Sequence, residues 1–383
     1  MILRHEYLAR LTTAINRSPV TALLGPRQCG KTTLAKEIAQ KQPSTFFDLE
    51  SMPDRRRVQN PELALGALSG LVILDEIQEM PELFGVLRVL VDRPENKARF
   101  LILGSASPEI IRSSSETLAG RVEFIELQGF DLSETGPQTW QVLWLRGGFP
   151  RSYLAENNDD SLTWREGFIR TFLERDIPQL GIRIPSFNMR RFWMMLAHYH
   201  GQTWNAAEIS RSMGLTDKTI RSYVDILTGT YMIRQLQPWY ENVGKRQVKS
   251  PKIYFRDTGL LHSLLEIPDM NSLLGNPKVG ASWEGFALDQ TLRRFLPQTP
   301  YFWGTQAGAE LDLLFSMKGR RYGFEIKFNE APKLSPSMRI ASQELSLEHL
   351  WVIYPGNEQY PISDAITVIP LNQLDRIYTE LVP

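Results

Sequence analysis

The 383-residue sequence predicts an α/β fold built on a parallel sheet, and three observations carry that expectation. Residues 25–32 read Gly25-Pro26-Arg27-Gln28-Cys29-Gly30-Lys31-Thr32, a complete G-x-x-x-x-G-K-[ST] phosphate loop. Up to about residue 130, apolar runs of strand character alternate with helical patterns, as in a parallel sheet covered on both faces. The run Leu71-Val72-Ile73-Leu74 ends in Asp75-Glu76, two acids at the carboxyl end of a strand, where open α/β sheets bind ligands.

Taken in order, the expected strands are Val20–Leu24, Thr45–Leu49, Leu71–Leu74, Phe100–Leu103 and Val122–Leu127. Between the first two, Thr33-Leu34-Ala35-Lys36-Glu37-Ile38-Ala39 has helical composition, with Leu34, Ala35 and Ile38 on one side. Strand, glycine loop and helix in this order set a bound phosphate at a helix N-terminus. Glycines at 25 and 30 let the backbone turn tightly and point its N–H groups at the phosphate. Lys31 supplies charge for the β/γ oxygens, and Thr32 a hydroxyl for Mg²⁺, with Thr33 next on the helix. Asp75 would hold the metal's water shell opposite Thr32, and Glu76 would polarise the attacking water. ATP and Mg²⁺ are therefore the expected ligands. Ser105, closing Phe100-Leu101-Ile102-Leu103-Gly104, is a candidate sensor of the γ-phosphate, the alternative being an ordinary strand-to-helix turn. Arg121 is a candidate γ-phosphate arginine, supplied in cis or to a neighbouring subunit, with an exposed structural arginine as the alternative. Arg27 is a weaker rival for that role.

Length favours two or three domains, and 42% hydrophobic with 22% charged residues fits a soluble globular protein. Formal net charge is zero, so any nucleic-acid surface must be local. The single cysteine, Cys29, excludes a disulfide framework and fits a reducing compartment. Neither a signal peptide nor an apolar stretch of about 18 residues is visible. A cytoplasmic location without membrane contact is the expectation.

These residues resemble the AAA+ superfamily, and more narrowly the bacterial and archaeal predicted ATPases whose loop reads G-P-R-Q-x-G-K-T-T. The resemblance takes in Phe47-Asp48-Leu49-Glu50, Leu74-Asp75-Glu76-Ile77-Gln78, Gly104-Ser105, Gly147-Gly148-Phe149-Pro150 and Glu174-Arg175-Asp176-Ile177. It implies an ATP-driven core in residues 1–150 and a possible homo-oligomer.

Residues 151–260 read as a helical linker followed by a winged helix-turn-helix. Asn205 caps one helix, Gly214 ends it, and Thr216 caps the next. In the second helix Ile220, Tyr223, Val224 and Leu227 form one buried stripe, leaving Lys218, Thr219, Arg221 and Ser222 on the open face. Tyr231–Trp239 and Lys252–Phe255 then read as two strands around a basic tip containing Lys245, Arg246 and Lys249. Residues 181–260 carry twelve Lys/Arg against five Asp/Glu, a local excess suited to a DNA backbone. The alternative is a packing or partner module. His198 and His200 lack the companion ligands of a metal site.

In residues 261–383, Glu310–Phe315 and Tyr322–Phe328 flank a turn, and their pairing as a hairpin brings Asp312, Glu325 and Lys327 together. Glu284 points inward from a helix and needs a partner or a metal. Carboxylates beside a lysine suit metal-assisted phosphodiester hydrolysis, with a second divalent cation on Glu284, Asp312 and Glu325 and Lys327 at the scissile phosphate. The set resembles the PD-(D/E)xK nucleases, with Leu311-Asp312 in place of the usual Pro-Asp, and implies a restriction-endonuclease-like α/β domain. Such a domain accompanies the ATPase family named above. The alternatives are a surface salt bridge and a degenerate nuclease fold. Two functions follow: an ATPase that cleaves DNA, or a nucleotide-controlled switch binding DNA or a protein partner through an inactive nuclease fold.

Overall fold

The computed structural model describes residues 2–105, 117–180, 184–240 and 248–381. They form two compact units, Met1–Gly129 with Gly229–Tyr231, and Phe130–Thr228 with Met232–Pro383.

In the first unit, β1 (Val20–Gly25), β2 (Ser44–Asp48), β3 (Ser69–Asp75), β4 (Lys97–Ser105) and β5 (Val122–Glu126) pair in the order β2-β3-β4-β1-β5, parallel throughout. β1, β3 and β4 cover apolar runs expected from the sequence, and β2 and β5 each stop one residue short of theirs. Because successive side chains point to opposite faces, the strands feed two cores. Val20, Ala22, Leu24, Val72, Leu74, Phe100 and Ile102 pack with Leu83, Leu87 and Leu90 of helix Leu83–Val91. Leu23, Leu71, Ile73, Leu101 and Leu103 pack with helices His5–Arg17 and Lys31–Ala39, the latter contributing Leu34, Ala35 and Ile38. Burying each leucine or isoleucine contributes roughly 1.5–3 kcal/mol, so the helix carrying the phosphate loop is held on the sheet by its apolar side.

The expected boundary near residue 260 falls within the second unit. A mixed sheet runs across that position, from β6 (Gln202–Thr203), β7 (Ile233–Pro238) and β8 (Lys252–Phe255) through β9 (Tyr301–Gly304), β10 (Glu310–Met317), β11 (Arg320–Ile326) and β12 (His349–Tyr354) to β13 (Tyr360–Ser363) and β14 (Ile366–Pro370). Its order is β13-β14-β12-β11-β10-β9-β7-β8-β6. Gln237 and Pro238 of β7 pair in parallel with Tyr301 and Phe302 of β9, which carries the sheet across residue 260. β10 and β11 form the expected antiparallel hairpin, joined by a two-residue turn at Lys318-Gly319. Helix Pro336–Glu344 covers one face through Met338 and Ala341 against Leu311, Leu314 and Val352. On the other face Phe295, from helix Val279–Phe295, packs its ring at a tilt against Phe315 and Phe324.

Helices Ala206–Met213 and Asp217–Gly229 form the expected helix-turn-helix. Asn205 accepts a hydrogen bond from the Ala207 N–H at 3.0 Å, Gly214 adopts positive φ, and Thr216 Oγ1 accepts from the Thr219 N–H at 3.2 Å. A helical bundle centred on Phe168, Phe172, Trp193 and Leu196 completes this unit, interrupted by a π-helical turn at Phe172–Asp176.

Candidate functional site

The phosphate loop follows β1 and enters helix Lys31–Ala39, and its two glycines serve different purposes. A Cβ on Gly25 would lie 1.9 Å from the Leu127 carbonyl oxygen, whereas Gly30 takes φ +102°, a conformation side chains disfavour. Cys29 is buried with Sγ 3.5 Å from the same Leu127 oxygen, so the small thiol fills space behind the loop. Lys31 Nζ donates to the carbonyl oxygens of Gly25 (3.1 Å) and Pro26 (2.9 Å). Thr32 Oγ1 donates to Asp75 Oδ2 at 2.7 Å, bringing together the hydroxyl and carboxylate expected of a Mg²⁺ site. Burial lifts the Asp75 carboxyl above the ordinary aspartate range, against the Thr32 hydrogen bond. A hydroxyl and a carboxylate at one point are hard oxygen donors, and they fit the small cation.

Glu76 takes φ +55°, its N–H bonded to Asp75 Oδ1 at 3.0 Å and its carboxylate bonded by the Gln78 amide. Strained backbone at the end of β3 thus turns Glu76 away from the strand direction. Ser105 is in register with Gly25 on the neighbouring strand, beside the loop. Arg27 lies 3.9 Å from Glu50, while Gln28 and Thr33 are exposed and Pro26 is buried.

Arg121 stands away from the phosphate loop of its own chain. It precedes β5 at the amino ends of the strands, its carbonyl accepting from the Val20 N–H at 3.2 Å. The loop begins at the other end of β1, roughly 16 Å away at the usual rise per residue. Its guanidinium grips Asp92 with two bonds of 2.7 and 2.8 Å, which removes it from the phosphate of its own chain.

Sequence reasoning missed Arg4. It is 5% exposed, and its guanidinium donates to the Cys29 carbonyl (3.1 Å) in the loop and to those of Gln128 (2.9 Å) and Gly129 (3.0 Å) after β5. Nothing local marks this role, because the partners lie as far as 125 positions away.

In the second unit the carboxylates do converge, but on a lysine. Lys252, at the start of β8, has Nζ 3.2 Å from Glu284 Oε1 and 3.6 Å from Asp312 Oδ1, and it also contacts Glu310. Tyr254 donates its hydroxyl to Glu284 Oε1 at 2.5 Å. Asp312 Oδ2 accepts from the Ile326 N–H at 2.8 Å, and Lys327 Nζ pairs with Glu325 Oε1 at 2.6 Å. Burial, with the Asp312 charge second, lifts Glu284 to about 7 and Glu325 to about 8. Lys252 thus stands among the carboxylates expected to hold a cation. An ammonium takes up oxygens a metal would need, and among the described residues no group of three or more His, Cys, Asp and Glu is arranged to hold one. The signal for Lys252 was the alternation in Lys252-Ile253-Tyr254-Phe255, which puts Lys252 and Tyr254 on one face.

On the helix-turn-helix, Lys218, Arg221 and Ser222 are exposed, and Arg221 stacks 5.7 Å from the Trp204 ring. Thr219 is half-buried with its hydroxyl 2.9 Å from that of Thr216, so it belongs to the helix cap rather than to the open face. Lys249 is exposed, whereas Lys245 and Arg246 lie outside the described residues. The basic excess of this segment is smaller at the surface than in the sequence, since Lys252 and Arg234 are engaged with acids. His200 is buried, its Nδ1 accepting from the Phe255 N–H at 3.0 Å.

Sequence models of three families match successive segments: an AAA domain over residues 17–136, a domain of unknown function (DUF8612) over 137–271 and another (DUF4143) over 279–374. Among solved structures, the Walker-type ATPase PABY2304 of Pyrococcus abyssi is similar in fold, with a TM-score of 0.50 at 14% identity, covering 69% of this chain and 96% of that one. Two curated relatives, the uncharacterized proteins Rv2008c of Mycobacterium tuberculosis and Mb2031c of Mycobacterium bovis, are each 52% identical over 98% of this chain and 85% of their own length. The chain belongs to the family of these mycobacterial proteins, and its N-terminal segment is an AAA-type P-loop ATPase domain.

Proposed function

We propose that this protein is a Mg²⁺-dependent ATPase working as a nucleotide-controlled switch on DNA, with a C-terminal nuclease-like fold that does not cleave. The observation that carries the reading is the 2.7 Å bond between Thr32 and Asp75, followed directly by Glu76. Thr32 and Asp75 would hold Mg²⁺, which supplies charge neutralisation at the β- and γ-phosphates. Lys31 leaves its carbonyl partners for the phosphate oxygens, a stronger charge-assisted pairing. Glu76 orients the attacking water and takes its proton, and Ser105 stands on the adjacent strand to hydrogen-bond the transferred group. Support for the DNA side comes from exposed Lys218, Arg221 and Ser222 on the second helix of the helix-turn-helix, with Lys249 beside β8. In this reading those segments form a winged helix.

Purified protein should hydrolyse ATP in Mg²⁺, and Lys31→Ala should lower turnover at least a hundredfold. Duplex DNA should bind in a salt-sensitive manner without strand breaks. Absence of ATP turnover in the wild-type chain would sink the reading, as would metal-dependent cleavage abolished by Lys327→Ala.

A further inference from the structure

One charged group of the second unit has no part in nucleotide chemistry. Lys252 is 4% exposed, and its ammonium faces Glu284, Glu310 and Asp312 together, with the Phe302 ring 5.6 Å away. An ammonium has three donors and no acceptor, and here Glu284 and Glu310 take up donors while Asp312, at 3.6 Å, adds charge without a hydrogen bond. Its burial would be prohibitive without them.

The centre draws these groups from four elements. Lys252 and Tyr254 come from β8, Glu310 and Asp312 from β10, Glu325 from β11, and Glu284 from helix Val279–Phe295. Lys252 thus reaches past β9, to which its hairpin partner β7 is joined by only two residue pairs. Glu325 Oε2 is buried and has no hydrogen-bond partner. That orphan oxygen points to unmet demand for positive charge or a proton, as expected where a singly charged ammonium stands among four carboxylates with only Lys327 to help.

We propose that Lys252 is the resident cation of this carboxylate centre, standing where a divalent ion would have to bridge Glu284 and Asp312. The centre then clamps the β7–β8 hairpin onto the β10–β11 hairpin instead of hydrolysing phosphodiesters. This inference rests on the switch reading and gives its non-cleaving half a cause. A divalent ion bridging Glu284 and Asp312 would compete with the ammonium for the same oxygens and be repelled by it, so removing the ammonium should favour the metal.

The test is Mn²⁺ alone, titrated into the nucleotide-free full chain and followed by electron paramagnetic resonance. Wild type should show no Mn²⁺ binding that depends on Asp312. Lys252→Met should bind Mn²⁺ at least tenfold more tightly than wild type, and adding Asp312→Asn should abolish the gain. Lys252→Arg, which keeps the charge, should behave as wild type. One Mn²⁺ bound by wild type and lost in Asp312→Asn would overturn the proposal, as would a folded Lys252→Met with no gain. Should Lys252→Met fail to fold, the wild-type and Asp312→Asn titrations decide alone. ATP turnover of the same wild-type sample reports on the switch reading separately, so the two can fail independently.

Discussion

Arg4 shows how much of a motif's function lies outside the motif. Its guanidinium joins the Cys29 carbonyl in the phosphate loop to two carbonyls beyond β5, fixing the loop from behind. Arg4→Ala leaves three buried carbonyl oxygens without this donor. At about 1 kcal/mol per lost bond the first unit should lose roughly 3 kcal/mol, read as a lower melting temperature. The Km for ATP should rise as well, with partial recovery in Arg4→Lys. An unchanged Km alongside lost stability would confine Arg4 to folding. Glu76 sits at the opposite extreme, its bonds running to the adjacent Asp75 and to Gln78 two positions on. Glu76→Gln should therefore preserve ATP binding while lowering turnover at least a hundredfold, measured by equilibrium binding beside steady-state kinetics. The motif residues were legible because their geometry is local, set by the spacing of Gly25, Gly30 and Thr32. Arg4 was not, since only the folded sheet brings position 4 to positions 128 and 129. Nor does the sequence say which end of the sheet Arg121 occupies.

At the level of elements, strand alternation carried most of the correct reading. Continuous apolar runs alternating with helices assigned the five parallel strands, and the period of two assigned the β10–β11 hairpin and the inward face bearing Asp312. What it could not supply was the neighbour of each strand. β8 reads as the second strand of a winged hairpin, yet Lys252 belongs to a carboxylate centre whose other members begin 32 positions later. This centre makes stability pH-dependent. Burial and the nearby Asp312 charge hold Glu284 near 7 and Glu325 near 8, above the ordinary 4.5. Carboxyls raised in this way keep protons in the folded chain that the unfolded chain releases above about pH 4.5. Their contribution is complete below that pH and is lost as pH climbs through 7 and 8. The melting temperature of the second unit should therefore fall between pH 6 and pH 9 in calorimetry, and Asp312→Asn should flatten the fall. A rise over that interval would contradict the assignment.

For the whole molecule, zero net charge means that attraction to DNA must come from a few exposed cations rather than from the overall field. Lys218, Arg221 and Lys249 are exposed in the basic middle segment, whereas Lys252 is withdrawn into the carboxylate centre. Replacing Arg221 or Lys249 by alanine should weaken binding to any duplex sequence and reduce the salt slope by about one each, while Lys218→Ala should act in the same direction. If nucleotide hydrolysis in the first unit sets the DNA affinity of the second, linkage requires the converse by the same factor. DNA affinity measured with ADP and with a non-hydrolysable ATP analogue should then differ at least fivefold. The ratio of ADP to analogue affinity should shift equally when saturating duplex is added. Equal DNA affinity in both nucleotide states would separate the two units functionally and leave the ATPase without DNA as its output.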